Sequence, residues 1–182
     1  MNLINQKLAI EKLNEGLPIV FQTDTLPAIG CLPEFSDVIY RTKKRDKNKP
    51  LILMGADYDQ LTQYVHKAAQ EDYKSISSTY WPGALTIITP ISDEKLSSFC
   101  INNLTIGLRI PNSSKARSLI RKTGPLLTSS ANLSGSKTPL TAKGVSMKLP
   151  NVSILGPIPW EKCSGKGSTC LLYTSPSPRD SC

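Results

Sequence analysis

The feature that most constrains the fold of this chain is an alternation of short apolar runs with segments of helical period, in which several of the runs end directly on polar residues suited to holding a ligand. Leu17-Pro18-Ile19-Val20-Phe21 reads as a buried strand and leads into Thr23-Asp24-Thr25; Pro125-Leu126-Leu127 reads as another and leads into Thr128-Ser129-Ser130-Ala131-Asn132. Open α/β sheets present ligand groups at the carboxyl ends of their strands, so binding residues are expected at both places. Around these runs the spacing predicts a helix from Leu3 to Glu15 closed by Gly16, a helix through Phe35, Val38 and Ile39, and a strand over Pro50 to Met54. A helix starting near Asp57 or Asp59 and a second over Lys67 to Tyr80 follow, broken by Trp81-Pro82-Gly83. Ala84 to Thr89 and Leu104 to Ile110 have the β-branched richness of strands, Ser113 or Ser114 caps a helix running to Gly124, and Val152 to Leu155 supplies a last short strand. The expected architecture is a single α/β domain with an extensive, twisted, mixed sheet flanked by helices.

Composition bounds the function classes. A chain of 182 residues suffices for one well-cored domain, and its longest apolar runs, such as Leu51-Ile52-Leu53-Met54, fall far short of the roughly 20 residues that span a bilayer. The start, Met1-Asn2-Leu3-Ile4-Asn5-Gln6-Lys7, has no secretory-signal pattern, so a cytoplasmic protein with no membrane association is expected. Five cysteines without a Cys-x-x-Cys pair and a single histidine, His66, provide no zinc-site spacing. A formal charge of +8, from 22 Lys and Arg against 14 Asp and Glu, suits anionic partners generally, whether ATP, tRNA or a membrane surface.

Much of that charge is local. Arg41, Lys43, Lys44, Arg45, Lys47 and Lys49 fall in one window just before the Pro-Leu-Ile-Leu strand, interleaved with Asp46 and Asn48 in the manner of a binding loop. The helix macrodipole accounts for Arg41, Lys43 and Lys44 near a helix C-terminus but not for Arg45, Lys47 or Lys49 beyond it. Set beside the hydroxyl-and-amide run Thr128 to Gly135, these residues read as two halves of a phosphate pocket.

Lys43-x-Arg45 and Ser130-x-Asn132 resemble the signature of the YrdC/TsaC family, the L-threonylcarbamoyladenylate synthases. Four further anchors follow in the family's order: Thr23-Asp24-Thr25, Trp81-Pro82-Gly83, Leu108-Arg109-Ile110-Pro111 and Gly167-Ser168-Thr169. The resemblance implies a YrdC-like fold and a nucleotidyltransferase reaction. L-Threonine and bicarbonate give a carbamate that attacks the α-phosphorus of ATP, with Mg2+ as cofactor, forming threonylcarbamoyl-AMP and pyrophosphate. The product feeds a TsaD-type transferase complex that modifies tRNA to N6-threonylcarbamoyladenosine, and direct tRNA contact through the basic surface is not required of this chain.

Carried over residue by residue, the resemblance implies a catalytic cationic group of Lys43, Arg45 and Arg109. It places ATP against Arg45, Lys49, Thr105, Ser130, Asn132 and Thr138, and threonine against Thr23, Arg109, Thr128 and Ser168; no protein side chain is assigned to a metal. Three departures fall on the amino-acid side: Gln22 where the family has Pro, Pro27-Ala28 where it has Tyr-Gly, and Met54 where it commonly has His. The domain is expected to cover residues 1–169. Residues 170–182, with their Ser-Pro-Ser-Pro run, resemble translated adapter or vector sequence or a disordered tail. Two other functions compete with the synthase: an RNA-binding YrdC-like module without activity, and the carbamoyl-adenylate-forming domain of hydrogenase maturation. Only 6 per cent aromatic residues and the absence of zinc-finger cysteines weigh against them.

Overall fold

The apolar runs become strands whose period-two alternation divides the core into two. In the computed structural model, residues 1–91 and 105–173 are described. In chain order the elements are β1 (Leu3–Ile4), α1 (Gln6–Asn14), β2 (Ile19–Phe21), β3 (Ala28–Cys31), α2 (Asp37–Lys43), β4 (Ile52–Met54), α3 (Tyr58–Thr62) and α4 (Gln70–Tyr80). They continue with β5 (Leu85–Pro90), β6 (Thr105–Arg109), α5 (Ser114–Thr123), β7 (Leu126–Ser130), α6 (Ala142–Lys148), β8 (Ser153–Leu155) and β9 (Thr169–Leu172). The nine strands form one mixed sheet in the order β1-β8-β2-β3-β7-β4-β6-β5-β9. Its centre is antiparallel, β2 to β3, β3 to β7 and β7 to β4, with β4 and β6 parallel beside it.

Val20, Ile29, Leu53, Leu108 and Leu127 face one core with Leu61, Tyr73 and Val145 of the helices. Their alternates Phe21, Ala28, Met54 and Leu126 face the other, beneath Leu13 of α1 and Leu119 and Ile120 of α5. Burying each large apolar side chain contributes roughly 1.5 to 3 kcal/mol, which is how alternation alone pins the register of such short strands.

Several elements differ from expectation for local reasons. Helix α1 starts at Gln6 rather than Leu3 because Asn5 caps it, accepting the Leu8 N–H at 3.0 Å. That frees Leu3 and Ile4 to pair with Ile154 and Leu155. Strand β3 was not predicted. Ala28-Ile29-Gly30-Cys31 is short and contains a glycine, yet it is buried throughout and paired on both edges. Helix α6 was also missed; Thr141 caps it by accepting the Gly144 N–H at 3.1 Å. Helix α4 starts at Gln70, after a single 3-10 turn over Lys67–Ala69. The expected strand over Leu104 to Ile110 is present as β6, with Leu104 outside the described residues.

Cys170, Leu171 and Leu172, expected to lie beyond the domain, pair in parallel with Thr86, Ile87 and Ile88 at the sheet edge. The open ladder of β5 needs only backbone groups to recruit a strand, and the side chains of β9 stay exposed. The remainder of that segment, residues 174–182, lies outside the described residues.

Gly30 sits where the central strands leave no room for a side chain. A Cβ there would stand 2.9 Å from the Phe21 ring and 3.2 Å from Thr128 Cγ2. Both neighbours are buried, so Gly30→Ala is expected to destabilise the protein by about 1 to 3 kcal/mol through overpacking, read as a lower urea midpoint at unchanged m-value. An unchanged midpoint would mean that β3 and β7 can separate freely at this point.

Candidate active site

A cavity of about 280 Å³ lies where β3, β4, β6 and β7 meet the turn after β2 and the segment before β9. Its wall includes Thr25, Ala28, Arg45, Met54, Arg109, Thr128, Ser129, Ser130, Gly167 and Ser168. Two guanidiniums and a row of hydroxyls thus converge on one space, although their residues are spread from the first quarter of the chain to its end.

Arg109 is held by three donated bonds: Nη2 to Asp24 Oδ1 at 2.7 Å, Nη1 to Thr25 Oγ1 at 2.8 Å and Nε to the Gly83 carbonyl at 3.0 Å. A guanidinium carries five N–H groups, so two remain for a ligand. Burial pushes the Arg109 pKa down and the Asp24 carboxylate pulls it back, which keeps the group charged inside the protein. Thr23 shapes the turn that supplies these partners. Its Oγ1 donates to the Leu26 carbonyl at 2.7 Å and accepts the Thr25 N–H at 3.2 Å. The Trp81-Pro82-Gly83 break has a steric reason as well, because a Cβ on residue 83 would lie 2.4 Å from the Tyr80 carbonyl oxygen. Gly83 can therefore approach closely enough to donate its N–H to the Ile110 carbonyl at 2.9 Å while accepting from Arg109.

The two signature runs meet as expected, but in an unexpected way. Lys43, at the end of α2, is 1% exposed. Its Nζ donates to the Ser130 carbonyl, to the Asn132 carbonyl at 2.6 Å and to Asn132 Oδ1 at 3.2 Å, and its own carbonyl accepts the Ser134 N–H at 2.9 Å. Burial, with the charge of Arg45 adding to it, pushes the Lys43 ammonium down to about 8. Asn132 is likewise engaged within the loop. Oδ1 also accepts from Ser130 Oγ at 2.6 Å, and Nδ2 donates to the Leu133 and Ser136 carbonyls. Arg45 is different: Nη2 donates to the Pro50 carbonyl at 2.9 Å, while Nε is buried and has no hydrogen-bond partner among the described residues. Burial lowers its pKa.

With this geometry in view, similarity to known proteins is decisive. Residues 11–177 match the family model Sua5/YciO/YrdC, described as telomere recombination. The chain belongs to the Sua5/YciO/YrdC family. The threonylcarbamoyl-AMP synthase of Bacillus subtilis is 36% identical over 142 residues, 75% of this chain and 41% of that protein. That of Idiomarina loihiensis is 33% identical over 132 residues, 70% of this chain and 71% of its own length. A double variant of P. abyssi Sua5 superposes with a TM-score of 0.84 at 26% identity, covering 93% of this chain and 56% of the Sua5 chain. The chain thus spans well under two thirds of the B. subtilis and P. abyssi proteins.

Within this Sua5/YciO/YrdC fold, Arg45, Arg109, Thr128, Ser130 and Ser168 of the expected site line the cavity together. Thr128 Oγ1 donates to the Ile52 carbonyl at 2.9 Å, and Ser168 Oγ shares a 2.7 Å hydrogen bond with Thr86 Oγ1. Thr23, Lys43 and Asn132 are buried behind the wall, where they shape it. Lys49, Thr105 and Thr138 lie off the wall; Lys49 is exposed and Thr105 pairs with Pro90 at the start of β6. Sequence reasoning missed Asp24 and Thr25 as the partners that fix Arg109, along with Ser129 and Gly167 in the wall. Asp24 and Thr25 were visible inside an anchor already singled out, since a buried arginine needs a nearby carboxylate. The departures Ala28 and Met54 both face the cavity and present apolar surface there.

Proposed function

We propose that this protein is an L-threonylcarbamoyladenylate synthase, converting L-threonine, bicarbonate and ATP to threonylcarbamoyl-AMP and pyrophosphate for the N6-threonylcarbamoyladenosine modification of tRNA. The observation that carries the reading is the cavity itself: Arg109 with two N–H groups to spare and Arg45 with an unengaged buried Nε, set around Thr25, Thr128, Ser129 and Ser130. The names of the B. subtilis and I. loihiensis relatives support the same activity, and P. abyssi Sua5 has been solved with L-threonine. The likeness to HypF, at 15% identity and a TM-score of 0.70, concerns the fold alone and does not favour hydrogenase maturation. An RNA-binding role without synthase activity has the basic charge of the chain in its favour, which an ATP site accounts for equally.

A carbamate decomposes in water, so the enzyme's task is to hold it against ATP in a screened space, where positioning and fixed charge do most of the work. Arg109 binds the threonine carboxylate or carbamate through its free N–H groups, its orientation set by Asp24, Thr25 and Gly83. Arg45 and the Ser129-Ser130 edge meet the phosphates. The carbamate oxygen then attacks the α-phosphorus, the bond to the bridging oxygen breaks, and pyrophosphate departs. Mg2+ arrives with the triphosphate as part of the substrate; among the described residues no three His, Cys, Asp or Glu side chains are gathered to hold a metal. No described helix is long and apolar enough to cross a membrane, and a cytoplasmic setting, with a TsaD-type transferase complex consuming the product, fits the reading.

Incubation with ATP, Mg2+, bicarbonate and threonine should yield threonylcarbamoyl-AMP by mass spectrometry, in a reaction that stops when threonine is omitted. Arg45→Ala should raise the KM for ATP by about 10-fold or more, the worth of one or two charge-assisted hydrogen bonds. Its melting temperature should barely move, because Arg45 is half-buried and its described bond is a single one to Pro50. Wild-type ATP kinetics in that variant would remove Arg45 from the phosphate site.

A further inference from the structure

The segment leading from β8 to β9 runs outside the turn that follows β2, and hydrogen bonds tie the two together. The Gln22 side-chain amide pairs reciprocally with the backbone of one residue: Nε2 donates to the Glu161 carbonyl, and the Glu161 N–H donates to Gln22 Oε1 at 3.1 Å. Further along, Ser164 N–H donates to the Asp24 carbonyl at 2.9 Å and Gly165 N–H to the Thr25 carbonyl at 3.0 Å. The segment then delivers Gly167 and Ser168 to the cavity wall.

Apolar packing does little to hold this strap. Of residues 161–167 only Cys163 is even half-buried, and their one ion pair among the described residues, Lys115 Nζ to Glu161 Oε1 at 3.7 Å, is too exposed to be worth much. Hydrogen bonds must therefore set its place. Those from Ser164 and Gly165 go to backbone carbonyls. Gln22 supplies a buried side chain, 8% exposed, that satisfies both a donor and an acceptor of the strap.

We propose that Gln22 is a positioning residue that latches the 161–168 strap against the Thr23 to Thr25 turn, and so holds the Ser168 wall of the cavity where it can close on the amino-acid substrate. The functional half of this inference rests on the synthase reading; the latch itself does not. Gln22 touches no reacting atom. It acts through the strap, next to the turn that also fixes Arg109, so its influence falls on threonine before ATP.

The test separates the two halves. In Gln22→Leu, which keeps the bulk and loses both hydrogen bonds, amide hydrogen exchange at Ser164 and Gly165 should quicken by about 10-fold, while the paired amides of β2 and β3 stay protected. The KM for threonine should rise by a similar factor, about 10-fold, with kcat and the KM for ATP little changed. Gln22→Glu, which retains an acceptor for the Glu161 N–H but lacks the donor, should fall between the two and serves if the leucine variant does not fold. Unchanged exchange at Ser164 and Gly165 overturns the latch, as does acceleration spread equally over β2 and β3. Faster strap exchange with an unchanged threonine KM overturns its role in substrate binding. Because exchange is read without turnover, the latch can be judged even if the protein makes no threonylcarbamoyl-AMP.

Discussion

Arg109→Met is expected to cost about 3 to 5 kcal/mol of stability, the usual penalty for breaking a buried pair by removing one partner, and to reduce synthesis by at least about 100-fold, as loss of a fixed charged donor at a reacting centre does. The stability loss follows from what is left behind. Asp24 Oδ1 would lose its guanidinium partner and keep only the Asn112 N–H at 3.1 Å; Thr25 Oγ1 and the Gly83 carbonyl would each lose a donor. The activity loss has a separate cause, the disappearance of the two N–H groups that the hydrogen bonds to Asp24, Thr25 and Gly83 leave unused. A second substitution separates them. Asp24→Asn in the Arg109→Met background removes the stranded charge and should recover part of the urea midpoint while leaving synthesis at the level of the single variant. If the double variant is no more stable than Arg109→Met, the pair does not couple and the account of the site's rigidity fails.

Lys43→Met should behave differently from Arg45→Ala although both residues belong to one signature. The methionine chain fills the stem's space but leaves the Ser130 carbonyl, the Asn132 carbonyl and one bond to Asn132 Oδ1 without their shared donor. The Ser130 carbonyl keeps the Asn132 N–H at 2.9 Å and Asn132 Oδ1 keeps Ser130 Oγ at 2.6 Å, so the Asn132 carbonyl is the acceptor left orphaned. One orphaned and two weakened acceptors are expected to cost about 2 to 3 kcal/mol together, with the Ser129-Ser130 edge displaced and synthesis falling in consequence. The pH dependence carries a second signature. The native pKa of about 8 lies below the ordinary lysine value, so between them the unfolded chain holds the proton that the folded protein has released. The stabilisation linked to this group is therefore present above the unfolded pKa and is lost as pH falls through about 8. The stability difference between wild type and Lys43→Met, followed by urea unfolding from pH 7 to 10, should widen toward alkaline pH. A flat difference would show that the Lys43 pKa is not depressed. Retention of full stability would show that the loop does not depend on the lysine at all.

These two lysine and arginine positions show how far a linear reading reaches. Lys43, Arg45, Ser130 and Asn132 were legible as a group because charge density and hydroxyl density are properties of short windows. What separates Arg45, with an unengaged Nε, from Lys43, turned inward onto carbonyls, is not local: it depends on α2 ending at Lys43, after which Lys44 takes a left-handed conformation and the chain turns out of the helix. The same limit explains strand β3. Four residues with a central glycine have no marked period, and they become a strand because β2 and β7 flank them on both sides. Gln22 appeared in the sequence as a departure from a pattern; its pairing with Glu161 joins residues 139 positions apart, which no window contains.

By itself the sequence determined the class of fold, the positions of most strands and helices, and the chemical character of the site, since periodicity, caps and clustered side-chain types act over a few residues and survive as linear patterns. Tertiary structure decided which of those side chains face the cavity and which hold its wall, because that division rests on register across a mixed sheet and on burial. Once a charged group is enclosed it must find partners, so Arg109 turns to Asp24 and Lys43 to the Ser130 loop wherever the chain happens to bring them.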